Sequence, residues 1–100
     1  MLGAALQKKP VILDGLIATA AALVAYRLCP AVADYMVASH LSMEQGHRIA
    51  LEWLKKEPVL HMNLRLGEGT GAVLVMPYLD SAIRIMNRIA TFGEAGVTGQ

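Results

Sequence analysis

The chain has 100 residues, of which 55% are hydrophobic and only 17% are charged. This length allows one domain at most, and such a domain buries only about two-thirds of the surface that its unfolded chain exposes. The apolar fraction therefore predicts either a membrane protein or a part of something larger. A net charge of +1 without a basic cluster gives no electrostatic basis for binding nucleic acid.

A membrane-spanning helix needs about 20 mostly apolar residues. The longest uncharged run, Gly15 to Tyr26, is too short, so the sequence predicts no membrane partner. The N-terminus places its lysines after the apolar residues, the reverse of a signal peptide. The single cysteine, Cys29, cannot form an internal disulfide and is predicted to be a small core residue. These features predict a cytoplasmic protein.

The first half of the chain predicts two strands separated by a helix. Pro10–Asp14 is an uncharged aliphatic run that ends in Asp-Gly, as a buried parallel strand does. Gly15–Leu28 contains helix formers on every side, which predicts a helix packed on more than one face and ended by Pro30. Ala33–His40 is predicted to be the second strand.

A second helix is predicted to begin after Ser42. The Ser-x-x-Gln sequence predicts a capping box, in which Ser42 and Gln45 exchange hydrogen bonds with each other's backbone. Lysines and Pro58 are predicted to end this helix. Its predicted buried face consists of Met43, Ala50, Trp53 and Leu54.

The strongest helical periodicity lies near the C-terminus and predicts a third main helix. Pro77 lacks a backbone N–H, so this helix is predicted to begin near Pro77 or to be kinked there. Residues 92–100 are predicted to be a loop. The predicted apolar stripe of the helix consists of Val75, Leu79, Ala82, Ile83, Met86, Ile89 and Ala90.

This order of elements predicts an α/β fold: a fragment of a parallel-sheet, Rossmann-like domain with two short strands and three main helices. Two strands are too few for a complete parallel sheet, because such sheets are covered on both faces and need neighbours at their edges. The apolar surplus therefore predicts a homo-oligomer or another covering partner.

The sequence LRLGEGTGA, residues 64–72, places the carboxylate of Glu68 among glycines. Gly67, Gly69 and Gly71 allow a close backbone approach to a ligand, and Thr70 is a suitable N-cap for the next helix. A phosphate beside Glu68 would be repelled by about 4 kcal/mol at ~4 Å. Glu68 is therefore better suited to accept a proton from an N–H of a flat apolar ligand.

Other readings of the polar residues stay open. Glu68 could simply bond to loop N–H groups, and the sign of its pKa shift is not fixed, because burial raises a carboxyl pKa and a helix N-terminus lowers it. Arg65 could face a ligand or pair with a carboxylate. His40, Glu44 and His47 have spacings that suggest zinc, but the helix start separates them, so no metal is predicted.

The sequence RLGEGTGA, followed by an apolar helix and ATFGEAGV, resembles the C-terminal signature of the nicotinate-nucleotide:dimethylbenzimidazole phosphoribosyltransferases, which make α-ribazole phosphate for cobalamin. VILDGLIATAAAL and YMVASHLSMEQGHRIALEWL also resemble family segments, in the same order and spacing. These segments together cover nearly the whole chain. The resemblance implies that residues 1–100 are the C-terminal portion of a phosphoribosyltransferase-like α/β domain.

The implied reaction is attack by a benzimidazole nitrogen on C1′ of nicotinate mononucleotide, with release of nicotinate and without a cofactor. The resemblance implies that Glu68 is the general base, which removes the proton of the second ring nitrogen. The resemblance also implies that the residues that bind the phosphate lie in family segments that have no counterpart in this chain. The implied substrate-binding residues are Asp14, Gly15, Ser39, Ser42, Leu66 and Gly67.

The implied partners are nicotinate mononucleotide and dimethylbenzimidazole, together with a complementing N-terminal half or further copies of the chain. The alternative is a truncated, inactive interaction module that docks on a partner or associates with itself. Activity in a mixture with an N-terminal half would separate the two hypotheses.

Overall fold

The computed structural model describes residues 1–63, 68–89 and 96. Its elements follow the order α1 (Leu2–Leu6), β1 (Val11–Leu13), α2 (Leu16–Leu28), a 3-10 helix (Pro30–Tyr35), β2 (Met36–Ala38), α3 (Gln45–Leu54) and α4 (Thr70–Arg88). The α/β class, the two short strands and the three main helices are thus confirmed. No helix within the described residues combines the length and apolarity needed to cross a bilayer.

The two strands form a parallel sheet in which Val11, Ile12 and Leu13 pair with Met36, Val37 and Ala38. Beside β2, the Val59 N–H donates to the Ala38 carbonyl and the Leu60 N–H to the Ser39 carbonyl, and an isolated parallel bridge pairs His40 with Leu60. The second strand is shorter than predicted. Its first residues instead form the 3-10 helix, which Pro30 initiates with its fixed φ.

The main core lies between the sheet, α2 and the 3-10 helix, and α3 contributes Leu54. Burial on α2 is confined to one face, which carries Thr19, Ala22 and Ala25. Ile17, on the other side, is 88% exposed, so the predicted packing on several faces is wrong for this chain. Cys29 is exposed and is not the predicted core residue. The buried cluster consists of Leu13, Ala22, Ala25, Val32, Met36 and Leu54.

The predicted buried face of α3 is only partly correct. Ala50 and Leu54 are buried, whereas Met43 is exposed and Trp53 is 72% exposed. The buried face is rotated toward His47, which the apolar pattern excluded because histidine is polar. Its members, His47, Ala50, Leu51 and Leu54, follow helical spacing. As predicted, the helix ends before Pro58; Lys55 terminates it in a left-handed conformation with φ +57°.

The longest helix, α4, begins at Thr70 and includes Pro77 in its interior, so the predicted alternative of a start near Pro77 is wrong. Its N-cap is Gly69, not Thr70. Only the first turns are buried, through Gly71 and Val75. The rest of the predicted apolar stripe is largely exposed among the described residues, with Met86 at 83%.

Candidate functional site

A cavity of about 360 Å³ opens where β1 and β2 end. Open parallel sheets bind ligands at this carboxyl edge, because the loops that follow the strands meet there. The walls come from the β1–α2 connection with the first turn of α2, the β2–α3 connection and the turn before α4. The lining residues are Asp14, Gly15, Leu16, Ile17, Ala18, His40, Ser42, Glu44 and Glu68.

Glu68 is exposed and lines this cavity from the turn before α4. Its backbone is left-handed, with φ +55°, and Gly69 follows with φ +81°. The left-handed conformation costs free energy in a residue that has a Cβ, and such outliers concentrate at functional sites. This turn therefore carries a glutamate at a position where glycine would have the lower conformational energy.

Asp14 connects the end of β1 to the start of α4. Its Oδ2 accepts the Gly69 N–H at 3.0 Å and its Oδ1 accepts the Ala72 N–H at 3.2 Å. These donors are among the N–H groups that have no partner within the helix, and a carboxylate also interacts favourably with the positive end of the helix. Asp14 thus caps α4 from a distant part of the sequence.

The two predicted serines are placed differently. Ser42 lines the cavity, but the predicted capping box with Gln45 is wrong. The Ser42 hydroxyl instead accepts the Glu44 N–H at 3.1 Å, and the helix starts after it. Ser39 is fully buried and does not line the cavity; its hydroxyl donates to the Leu13 carbonyl at 2.6 Å. Substrate contact by Ser39 stays a prediction.

Of the other predicted site residues, Gly15 lines the cavity. Leu66 and Gly67 lie outside the described residues, as does Arg65. The structure therefore brings together Glu68, Asp14, Gly15 and Ser42 out of the predicted set.

A buried hydrogen-bond chain, missed from the sequence, holds two walls of the cavity together. The Ser42 N–H donates to His47 Nδ1 at 2.9 Å, so Nδ1 carries no proton. The neutral ring then holds its proton on Nε2, which lies 3.0 Å from Thr19 Oγ1. The Thr19 hydroxyl donates to the Gly15 carbonyl at 2.7 Å. The chain joins Ser42 in one wall to Gly15 in another.

Replacing Thr19 by Val tests this chain, because the side chain keeps its shape and loses both hydrogen bonds. The variant leaves the His47 Nε2–H buried without a partner. We expect the free energy of unfolding to fall by about 2 kcal/mol. Urea denaturation measures the change, with Ser81→Ala on the exposed side of α4 as the control, which is expected to stay within about 0.5 kcal/mol. Equal stability of both variants would contradict this hydrogen-bond network.

The pKa of His47 is lowered below its ordinary value of 6.5, mainly by burial and next by the nearby His40. Glu44 and Asp14 raise the pKa and oppose part of this shift. As pH falls, the unfolded chain takes up the His47 proton before the folded chain does. The stability contributed by neutral His47 is therefore present above about pH 6.5 and is lost as pH falls through the folded pKa.

We therefore expect stability to fall between about pH 7 and pH 5 more steeply in the natural chain than in His47→Gln. Urea midpoints at several pH values measure both slopes. The variant also removes hydrogen bonds, so the comparison concerns the slope and not the absolute stability. Parallel slopes would contradict a neutral, buried His47.

His40 lies next to this network, and it is 1% exposed. Its Nε2 is 4.0 Å from Asp14 Oδ1, and within the described part of the chain neither ring nitrogen has a hydrogen-bond partner. The ring packs directly on the backbone of Gly71, where an added Cβ would lie only 2.7 Å from Nε2. No metal-binding group of three side chains occurs among residues 1–63, 68–89 and 96.

Comparison with known proteins links this chain to a family. The profile of a family described as "Phosphoribosyltransferase" matches residues 1–97. Among curated proteins, the nicotinate-nucleotide–dimethylbenzimidazole phosphoribosyltransferase of Desulforamulus reducens is 57% identical over 98 residues, which is 98% of this chain and 28% of the relative. The enzyme of the same name from Syntrophotalea carbinolica is 54% identical with the same coverage.

A solved structure agrees with these relatives. The nicotinate-nucleotide–dimethylbenzimidazole phosphoribosyltransferase of Thermus thermophilus superposes with a TM-score of 0.81 at 52% identity, over 91% of this chain and 27% of that one. The chain thus spans 28% of the length of the two curated relatives. The match over residues 1–97 shows that the chain belongs to this phosphoribosyltransferase family.

Proposed function

We propose that this chain supplies the general base and part of the base-binding wall of a nicotinate-nucleotide:dimethylbenzimidazole phosphoribosyltransferase that works in the cytoplasm. A benzimidazole nitrogen attacks C1′ of nicotinate mononucleotide, and nicotinate leaves. Glu68 takes the proton from the second ring nitrogen. The names of the relatives support the reaction class, and the position of Glu68 supports its role.

The observation that carries the proposal is a carboxylate beside a cavity that fits a small planar ligand. The volume of about 360 Å³ lies within the usual range for small-molecule sites. Leu16, Ile17 and Ala18 give one side of the cavity an apolar lining, which suits a bicyclic aromatic ring. The cavity therefore offers both contacts that a neutral benzimidazole needs.

The charge of the cavity also favours the heterocycle over the phosphate. Asp14, Glu44 and Glu68 line it, and its described lining contains no lysine or arginine. A phosphate within ~4 Å of one of these carboxylates would be repelled by about 4 kcal/mol. Attack at C1′ instead places positive charge on the imidazole ring, which a fixed carboxylate stabilises. The phosphate of the nucleotide is accordingly held outside this chain.

The other parts of the proposal follow from the family. Residues 1–100 form the C-terminal portion of the catalytic domain, which is completed by an N-terminal portion. Asp14, Gly15 and Ser42 contact substrate from the described wall, while Ser39, Leu66 and Gly67 complete the substrate-binding set. The roles of Asp14, Gly15 and Ser42 are supported by their positions in the cavity lining.

The test is a hybrid enzyme, in which this chain replaces the matching segment of the Desulforamulus reducens relative. Nicotinate mononucleotide and dimethylbenzimidazole are added, and the release of nicotinate is followed. We expect product from the hybrid and none from the relative that lacks the segment. A folded hybrid that binds both substrates and gives no product would overturn the proposal.

The second candidate is a non-catalytic interaction module, and the exposed apolar side chains along α4 favour it. Contiguous exposed apolar surface marks a contact with another protein or another copy. Sedimentation of the 100-residue chain tests it: stable self-association together with an inactive hybrid supports the module. The exposed side chains are Val73, Met76, Ile83, Met86 and, directly after the helix, Ile89.

A further inference from the structure

We infer that Asp14 is a positioning residue for Glu68: its carboxylate holds the turn that brings the general base to the cavity. Asp14 lies 55 and 58 residues before its two donors, Gly69 and Ala72, and bonds to both N–H groups. The inference rests on the proposed function of Glu68 and adds a residue that acts through it.

The bond to Gly69 acts directly on the backbone of Glu68. The Gly69 N–H belongs to the peptide plane between Glu68 and Gly69, so fixing its direction fixes the ψ angle of Glu68. Both residues are left-handed, at φ +55° and +81°. A conformation of this kind persists only where the surroundings hold it, and the Asp14 carboxylate provides that restraint.

The second bond fixes the same turn to the first turn of α4. Because Asp14 Oδ1 accepts the Ala72 N–H, one carboxylate spans the turn and the helix start. Hydrogen bonds to a charged acceptor are stronger than neutral ones, and the helix N-terminus favours a negative charge. The base is thus tied to the end of β1, where Gly15 also lines the cavity.

Packing on His40 adds a second restraint. Gly71 lies against the buried ring of His40, and the Nε2 of that ring is 4.0 Å from Asp14 Oδ1. The turn and the start of α4 are therefore both bonded to Asp14 and packed on His40. Each carboxylate oxygen of Asp14 keeps a further lone pair, so the residue can still contact substrate.

A general base works only when it is held within about 0.5 Å of its productive position. We expect Asp14→Asn to weaken one of the two hydrogen bonds and to loosen the turn, while a side chain of the same size still lines the cavity. The misplaced base should lower kcat of the hybrid enzyme about 10- to 100-fold, with a smaller change in KM for nicotinate mononucleotide.

The direct test uses amide hydrogen exchange of the 100-residue chain. In Asp14→Asn, exchange at Gly69 and Ala72 should accelerate at least about tenfold, while the amides of α3 keep their rates. Asp80→Asn, an exposed aspartate on α4, is the matched control and should change neither exchange nor kcat. A purely global loss of stability would accelerate all protected amides together.

Unchanged exchange at Gly69 and Ala72 in a folded Asp14→Asn chain would overturn the positioning role. If that variant does not fold, Asp14→Glu, which keeps the charge and lengthens the side chain by one methylene, takes its place. Local acceleration at these two amides supports the role, and uniform exchange overturns it.

The two proposals fail separately. Full activity of Glu68→Gln in the hybrid would reject the general base, while the exchange result would still report on the turn. Loss of activity in Glu68→Gln with unchanged kcat and exchange in Asp14→Asn would keep the general base and reject the positioning role.

Discussion

Glu68→Gln is expected to lower kcat of the hybrid enzyme by about 10²- to 10⁴-fold, the usual loss when a general base is removed. The amide keeps the size of the side chain and can still accept a hydrogen bond. It cannot take up the proton that leaves the second ring nitrogen, so positive charge stays on the attacking ring. Steady-state release of nicotinate, measured at saturating dimethylbenzimidazole, gives the change.

Glu57→Gln is the matched control, because Glu57 is exposed and does not line the cavity. Neither substitution should change the free energy of unfolding by more than about 0.5 kcal/mol, since both side chains are exposed. A kcat of Glu68→Gln within a factor of about three of the unsubstituted hybrid would contradict the proposed base, as it corresponds to less than about 1 kcal/mol.

Lys8, Lys55 and Asn63 share the left-handed φ of Glu68, so the φ angle alone does not mark function; the choice of residue at position 68 is the informative feature. A left-handed residue with a Cβ costs about 1–2 kcal/mol relative to a right-handed one, and glycine would avoid that cost. Three glycines surround the position in the sequence, yet the turn carries a glutamate. The carboxylate thus occupies a position that backbone preference alone would give to glycine.

Local signals were sufficient for much of the fold. Pro30 and Pro58 follow helices that end before them, and an aliphatic run before Asp-Gly forms β1. These features depend on backbone geometry within a few residues, which a sequence displays directly. The Glu68 loop was recognisable for the same reason, because its glycines and its carboxylate are contiguous.

Contacts between distant segments could not be predicted in this way. The pairing of Thr19 with His47 joins residues 28 positions apart, and Asp14 caps a helix more than 50 residues later. Such partners are known only once the sheet has brought the loops together. The predicted buried face of α3 was only partly correct for the same reason, since the burial of His47 depends on Thr19 and Ser42, which satisfy its ring nitrogens.

The apolar stripe of α4 shows a different limit. The periodicity predicted a helix correctly, but it could not predict which surface would bury the stripe. Most of the stripe is exposed in the described residues. Hydrophobic pattern reports which face can be buried, while burial itself requires a partner surface. The chain spans 28% of its curated relatives, and their remaining length is the candidate cover in the proposed function.

Gly71→Ala is expected to lower the free energy of unfolding by about 2–3 kcal/mol, the upper part of the range for overpacking. The new Cβ would meet the His40 ring, with Nε2 at 2.7 Å and Cγ at 2.9 Å. His40 is buried, so either the ring or the start of α4 must move. Either movement separates α4 from the sheet edge that Asp14 holds.

Gly46→Ala is the matched control because the same change is made near the start of another helix. The nearest atom to its added Cβ, Leu16 Cδ1, is at an ordinary contact distance of 3.7 Å. Alanine is the better helix former, so this variant should gain up to about 0.5–1 kcal/mol. Urea denaturation should therefore shift in opposite directions for the two variants. A Gly71→Ala chain as stable as the natural one would show that His40 does not fix the start of α4.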